Sequence, residues 1–351
     1  MRIYLASDFH AAETAWRKFL NAIRLNVYKA DIALVAGDLT GKAIVPIVRN
    51  GAAYEAELFG VRRRAGSDEE LATLERDIAD VGFYSFVSTA EEADRLATDA
   101  DARDRLLHEL MNERVGRWMD LADERLGGGD VPLYLIPGND DDFGIDPILN
   151  REGAFLQNAD GRVLDMPGEL QLLASGWSNI TPWATPREEP EDALEARLEA
   201  LAGQVRDPRR AVFMIHVPPH DSGLDTAPIL DENLRPTISA GDVLRGPVGS
   251  LAVRRIIERF EPLLGVHGHI HESGGERKIG RTLCINPGSE ANHGILRGYL
   301  VILARTASSG RCGWRAKPRP LRAHPRAPSA SSSRASTRAS LRDSPRPRSA
   351  R

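Results

Sequence analysis

The sequence predicts an α/β fold, and three features carry that expectation. Apolar runs at 2–6, 31–36, 131–136, 211–215 and 263–266 are hydrophobic at nearly every position, as strands of a sheet covered on both faces must be. Between them lie segments with apolar residues at helical spacing, such as Trp16, Phe19, Leu20 and Ile23. A chain of 351 residues can bury a large core, either as two domains or as one α/β unit with insertions.

In order, a strand at 2–6 ends at Ser7-Asp8-Phe9-His10 and is followed by a helix over 14–26. A second strand at 31–36 ends at Gly37-Asp38-Leu39-Thr40. From 42 to 129 the pattern changes: Ser67-Asp68-Glu69-Glu70 and Thr89-Ala90-Glu91-Glu92 are helix starts with acids in the first turn, and a 3.6-residue apolar period continues to about Leu126. This segment is expected to be a helical insertion, a lid or a dimerisation element.

The strand pattern resumes at 131–136 and ends at Pro137-Gly138-Asn139-Asp140-Asp141-Asp142, where Gly138 is expected to turn the chain so that Asn139 points back over the strand ends. Shorter runs follow at 162–164 and 170–174, then a charged helix over 190–202. The strand at 211–215 ends at His216-Val217-Pro218-Pro219-His220, and a helix over 249–260 delivers the chain to Leu264-Gly265-Val266-His267-Gly268-His269-Ile270-His271. Strands at 282–285, ending in Asn286-Pro287-Gly288-Ser289, and at 299–303 close the folded part.

The net charge of −4 hides an asymmetry. Residues 305–351 carry twelve Arg and one Lys against Asp343, a surplus of +12, which leaves the first 304 residues at −16. The tail is rich in Ser, Pro, Ala and Arg without periodicity and is expected to be disordered. It gives nucleic acid an electrostatic foothold, although a solvated tail without a role is the favoured reading. Two cysteines, Cys284 and Cys312, are too few for a disulfide framework. No signal peptide or membrane span is visible, so a soluble cytoplasmic protein is expected.

Five apolar runs thus end in Asp8/His10, Asp38, Asn139, His216 and His269/His271. The carboxyl ends of strands in an α/β sheet converge on one crevice, so seven O and N donors can meet there. Singly, an acid after a strand is often an Asx turn or a helix cap. All of them at the same strand end is much harder to explain that way. One zinc wants about four ligands, whereas seven mixed donors suit two ions sharing a carboxylate, and Asp38, directly after Gly37, is the expected bridge. Two such ions activate a water to hydroxide and clamp an in-line displacement at phosphorus, so phosphate ester hydrolysis is the expected reaction.

The series Asp8-x-His10, Gly37-Asp38, Gly138-Asn139-x-Asp141, His216 and Gly268-His269-x-His271 resembles the five-block signature of the calcineurin-like metallophosphoesterases, and His216-x-Pro218-Pro219 and Asn286-Pro287-Gly288-Ser289 resemble its prokaryotic members. The resemblance implies a four-layer α-β-β-α sandwich of two mixed sheets. It implies that Asp8, His10 and His271 hold one metal, that Asn139, His216 and His269 hold the other, and that Asp38 bridges. Mn²⁺, Fe or Zn²⁺ are the ions it implies. One departure matters: many members place a His after the block-three Asn to protonate the leaving group, and here that position is Asp140. His220 is the candidate replacement acid, and Asp141 is expected to orient a ligand histidine. A phosphodiester substrate is favoured over a monoester or phosphoprotein. The competing readings are a phosphoesterase-like scaffold without turnover and a nuclease recruited by the tail.

Overall fold

A computed structural model describes residues 1–151, 155–239, 241–308 and 311–323. The chain is mixed α/β. One six-stranded sheet runs, edge to edge, Arg311–Ala323, Leu296–Ser308, Arg2–Ala6, Ile32–Ala36, Leu133–Ile136 and Leu156–Asn158. A second runs Gly275–Ile279, Thr282–Asn286, Leu264–Val266, Ala211–Ile215, Leu170–Ser175 and Arg162–Met166. The strands that precede the predicted site residues pair in parallel within each sheet, so their carboxyl ends share an edge.

The period of two along each strand explains why these runs are apolar throughout. Ile3 and Leu5 share a core with Leu34 of their own sheet and with Leu172, Val212 and Leu264 of the other. The alternate residues Tyr4, Ala6, Ala33 and Val35 instead join Trp16 and Phe19 of the helix Glu13–Arg24. On the second sheet Leu173, Phe213 and Ile215 pack with Leu194 and Leu198 of the helix Glu191–Ala202 and with Ile256 of the helix Leu251–Phe260. No helix among the described residues is long and apolar enough to cross a membrane.

Two expectations change. The insertion is not simply helical: strands Val61–Ala65, Ala53–Leu58, Ile44–Asn50 and Tyr84–Ser88 form their own four-stranded sheet, with helices Asp68–Asp80, Ala90–Thr98 and Ala100–Leu126. Its strands were hidden because only alternate residues, such as Val45 and Ile47, are buried and Pro46 interrupts the pattern. The usable signals were turns: Asn50 pairs with Ala53 across Gly51-Ala52, and Leu58 with Val61 across Phe59-Gly60, both two-residue hairpin loops. The expected helix starts are present, with Ser67 and Thr89 as caps and a full capping box at Thr89 and Glu92.

The second change is at the carboxyl end. Ordered structure runs past 304: Leu296–Ser308 and Arg311–Ala323 form an antiparallel hairpin with Leu296 opposite Ala323. Arg311–Ala323 is an edge strand, which is where Pro318 and Pro320 are tolerated, and an exposed edge carries little apolar periodicity to read. The rest of the expected tail, residues 324–351, lies outside the described residues.

The helix Ala100–Leu126 is anchored to the main core through Trp118. Its indole stacks on Trp16 at 4.9 Å, its Nε1 donates to Glu13 Oε2 at 2.6 Å, and Phe9, between the site residues Asp8 and His10, lies edge-on 6.2 Å away. Truncating a fully buried Trp leaves a cavity worth about 3–5 kcal/mol. Trp118→Ala should therefore lower stability by about that amount in denaturant titration. A loss under about 1 kcal/mol would mean that the insertion is not fastened here.

Candidate metal centre

Two groups of side chains meet at the shared strand ends. Asp8, His10, Asp38 and His271 offer ligand atoms all within 4.8 Å of one another, and Asp38, His216 and His269 form a second such group. Asp38 belongs to both. Asn139 joins the second group, its Oδ1 lying 3.0 Å from His216 Nε2 and 2.7 Å from His269 Nδ1. The structure thus brings together all seven residues singled out in the sequence.

The backbone does this in an unusual conformation. Asp8, His10, Asp38 and His269 all have positive φ, at 56°, 43°, 53° and 69°. Non-glycine residues adopt that region at a cost, and such strain persists only where the surroundings enforce it. The enforcing contacts run between loops: Asp8 N–H donates to Gly37 O at 2.9 Å, His10 N–H to Asp38 O at 3.0 Å, and His269 N–H to Asp8 Oδ1 at 2.8 Å. Gly138 was expected to supply a sharp turn, yet neither it nor Gly268 has positive φ. They are needed for space. A Cβ on Gly138 would lie 2.7 Å from Asp38 Cγ, and one on Gly268 would lie 2.5 Å from Asp8 Oδ2.

Imidazole orientation is fixed from behind the site. His216 Nδ1 donates to Ala36 O at 2.7 Å, which turns Nε2 toward Asn139 and Asp38. His10 Nδ1 lies 3.3 Å from Thr40 O, which turns its Nε2 toward His271 Nε2 at 2.8 Å. Asp141 does not orient a histidine, contrary to expectation. Its buried carboxylate accepts from the backbone N–H groups of Leu39, Thr40 and Gly138 and from the Thr40 hydroxyl, at 2.6–3.1 Å, and so pins the loops that carry Asp38 and Asn139.

The donor set fits cations. Asp8 Oδ2 is buried without a hydrogen-bond partner, two imidazole nitrogens face each other across 2.8 Å, and two more converge on one amide oxygen. Buried polar atoms normally find partners, and carboxylate, imidazole and amide donors converging in this way form a cradle for metal ions. Mixed carboxylate, imidazole and amide donors suit divalent metal ions.

Electrostatics point the same way. Burial opposes charge on His216, but the Asp38 carboxylate overrides it and pushes the His216 pKa up to about 10. Burial, helped by His216, brings His269 down to about 4. Asp38 is held well below the usual carboxylate range by His216, His10 and His269 despite its burial. A raised histidine pKa stabilises the metal-free fold below the unfolded value near 6.5 and loses that contribution as pH rises through about 10. A cation needs the neutral ring, so at pH 8 uptake should release roughly one proton from His216. Calorimetry in buffers of different ionisation enthalpy measures this, and a buffer-independent heat would contradict it.

The remaining candidates sit at the rim. Asp140 N–H donates to Asp38 Oδ1 at 3.1 Å, and its carboxylate accepts from Asn139 Nδ2 at 3.1 Å. Burial, then the Asp38 charge, raises its pKa to about 6. Lys42, which no sequence pattern singled out, places Nζ 2.6 Å from Asp140 Oδ2. Nothing local announces that pair, because 98 positions separate its members. His220 belongs to neither ligand group, and its Nδ1 lies 3.2 Å from Gly249 O. His267, which also belongs to neither group, is buried with Nδ1 2.8 Å from Ile215 O, and burial lowers its pKa to about 4. Thr185 was also unforeseen: its hydroxyl accepts from Asn139 Nδ2 at 2.9 Å and donates to Glu188, tying the segment between Asn179 and Glu188 to Asn139.

Comparison with known proteins agrees with this geometry. The calcineurin-like phosphoesterase family matches residues 1–273. An uncharacterized protein of Methanocaldococcus jannaschii, MJ1162, is 30% identical over 160 residues, which are 45% of this chain and 64% of that protein. The match therefore spans less than two thirds of that relative. Among solved structures, TT1561 of Thermus thermophilus is similar with a TM-score of 0.48 at 14% identity, covering 85% of this chain and 92% of that one. GAP50, the anchor in the inner membrane complex of Plasmodium, is similar with a TM-score of 0.34 at 10% identity, covering 82% and 71%. With the match extending from Met1 past His271, the chain belongs to the calcineurin-like phosphoesterase family.

Proposed function

We propose that this protein is a dinuclear metal-dependent phosphoesterase that hydrolyses small phosphodiesters. The sharing of Asp38 between two ligand groups carries the reading, because one carboxylate serving two donor sets is what a pair of neighbouring cations requires. Bound there, divalent ions supply Lewis acidity, activate a water and neutralise charge on the phosphoryl oxygens. Asp8, His10 and His271 hold one ion, Asn139, His216 and His269 the other. The chain's own work is positional: Ala36 O and Thr40 O fix ring tautomers, and Asp141 locks the two loops together. The −16 charge of the first 304 residues disfavours long polyanionic substrates, which supports a small diester over nucleic acid or a phosphoprotein.

For the architecture we infer the four-layer sandwich. Its support is one apolar cluster fed by both large sheets, with separate clusters joining each sheet to its own helices. Cys284 is free and buried, which suits a reducing compartment such as the cytoplasm.

The test is direct. Protein reconstituted with Mn²⁺ should hydrolyse bis(p-nitrophenyl) phosphate faster than p-nitrophenyl phosphate, and a chelator should abolish both. Two metals bound with neither ester hydrolysed would favour the scaffold reading, and a faster monoester would reverse the substrate preference.

A further inference from the structure

Asp140 stands at the rim of the centre, its backbone N–H on Asp38 and its carboxylate on Asn139, and a leaving group there needs a proton donor. The structure places something else on that carboxylate. Lys42 Nζ lies 2.6 Å from Asp140 Oδ2, and Asp140 is 9% exposed while Lys42 is 55% exposed. Asp140 is itself rigidly tied to the metal ligands. Its backbone N–H donates to Asp38 Oδ1, its Oδ1 accepts from Asn139 Nδ2, and its Oδ2 lies 3.9 Å from His10 Nδ1. The carboxylate therefore stands over the junction of the two ligand groups and holds an ammonium at its outer side. One of the three ammonium donors is spent on Asp140, and the exposed side chain leaves the others to face solvent or substrate. His10 and His271 beside it are 19% and 42% exposed, so this is the open side of the centre.

We propose that Lys42 is the catalytic residue that protonates the leaving group and that Asp140 is its positioning residue. This rests on the phosphoesterase reading and adds the proton donor to it. As the bond from the attacking water oxygen to phosphorus forms, the bond to the ester oxygen breaks and its electron pair stays on that oxygen. The oxygen takes a proton from Lys42 Nζ. The neutral amine is reprotonated from solvent, and the attacking water gives its proton to solvent, so the sum is phosphodiester plus water to alcohol plus phosphomonoester. An ammonium is a stronger acid than an alcohol, so esters with poor, alkyl leaving groups depend on it most.

The test uses the full chain loaded with Mn²⁺ and phosphate esters graded from p-nitrophenyl to alkyl leaving groups. For Lys42→Met, kcat/KM should fall several-fold on the p-nitrophenyl ester and at least about a hundred-fold on the alkyl ester, the lower bound for a lost acid. The plot of log rate against leaving-group pKa should steepen. Asp140→Asn should produce the same bias more weakly, and Asp140→Glu should restore much of it. Inorganic phosphate binding by calorimetry and metal content should stay within about two-fold of wild type, because the lysine contacts the departing oxygen. A loss equal across the series, or one accompanied by loss of phosphate binding, overturns the proposal in favour of a phosphate anchor or a structural pair. If wild type cleaves no ester at all, the phosphoesterase reading falls first and this assignment with it. An active wild type with an unbiased Lys42→Met removes only the latter.

Discussion

Asp38→Ala should abolish metal-dependent hydrolysis, with kcat/KM falling at least about a thousand-fold, which is roughly 4 kcal/mol of transition-state stabilisation. The expectation follows from its double membership. Every other candidate ligand belongs to one group, so removing it leaves the second group intact, whereas Asp38 is common to both. Metal content by mass spectrometry should drop from two ions to one or none. His271→Ala supplies the comparison, since it removes a ligand from the Asp8 group alone and should spare one ion. The substitution also acts on the metal-free protein. Asp38 is the main reason His216 holds its proton, so its loss returns that ring toward neutrality and reduces the proton release on metal uptake. Two ions retained by Asp38→Ala with unchanged turnover would dismiss the shared carboxylate.

What could be read from the sequence was whatever depends on neighbours along the chain. A buried strand announces itself by being apolar throughout, and a polar residue at its carboxyl end stands out against that run. Asp8, Asp38, Asn139, His216 and His269 were all found this way. The parallel pairing that gathers them followed from the alternation of strands and helices. What stayed hidden depends on contacts between distant segments. Asp141 is bonded to backbone groups about 100 positions away, and its role in pinning loops cannot be told from that of a histidine partner until those loops are seen together. Lys42 looks like any surface lysine until Asp140 is placed under it. Gly138 stands out as a turn residue, but what requires glycine is space, with Asp38 closing on Gly138 and Ser7 and Asp8 on Gly268. In the insertion the two-residue loops Gly51-Ala52 and Phe59-Gly60 each carry a glycine, a signal local to the sequence.

Asp141→Ala should be the most destabilising single change near the site that removes no ligand. It strips the acceptor from three backbone N–H groups and one hydroxyl, all buried, and each stranded donor costs about 1–3 kcal/mol unless water replaces the lost oxygen. A loss of about 3–5 kcal/mol is expected, partly relieved by water in the vacated space. Asp141→Asn keeps the shape and one carbonyl acceptor but turns an amide NH₂ toward a donor, so it should lose about half as much. The consequence for function is indirect and shared. Leu39 and Thr40 follow Asp38, and Gly138 precedes Asn139, so loosening either loop affects both ligand groups at once. Affinity at both metal positions should fall about 10–100-fold, the usual range when the groups supporting ligands are removed. Chelator competition measures that fall, and urea titration of the metal-free protein measures the first effect. A residue that oriented one histidine would weaken one position and leave the other unchanged. That asymmetry, or a metal-free stability within about 0.5 kcal/mol of wild type, would show that Asp141 does not hold the loops together.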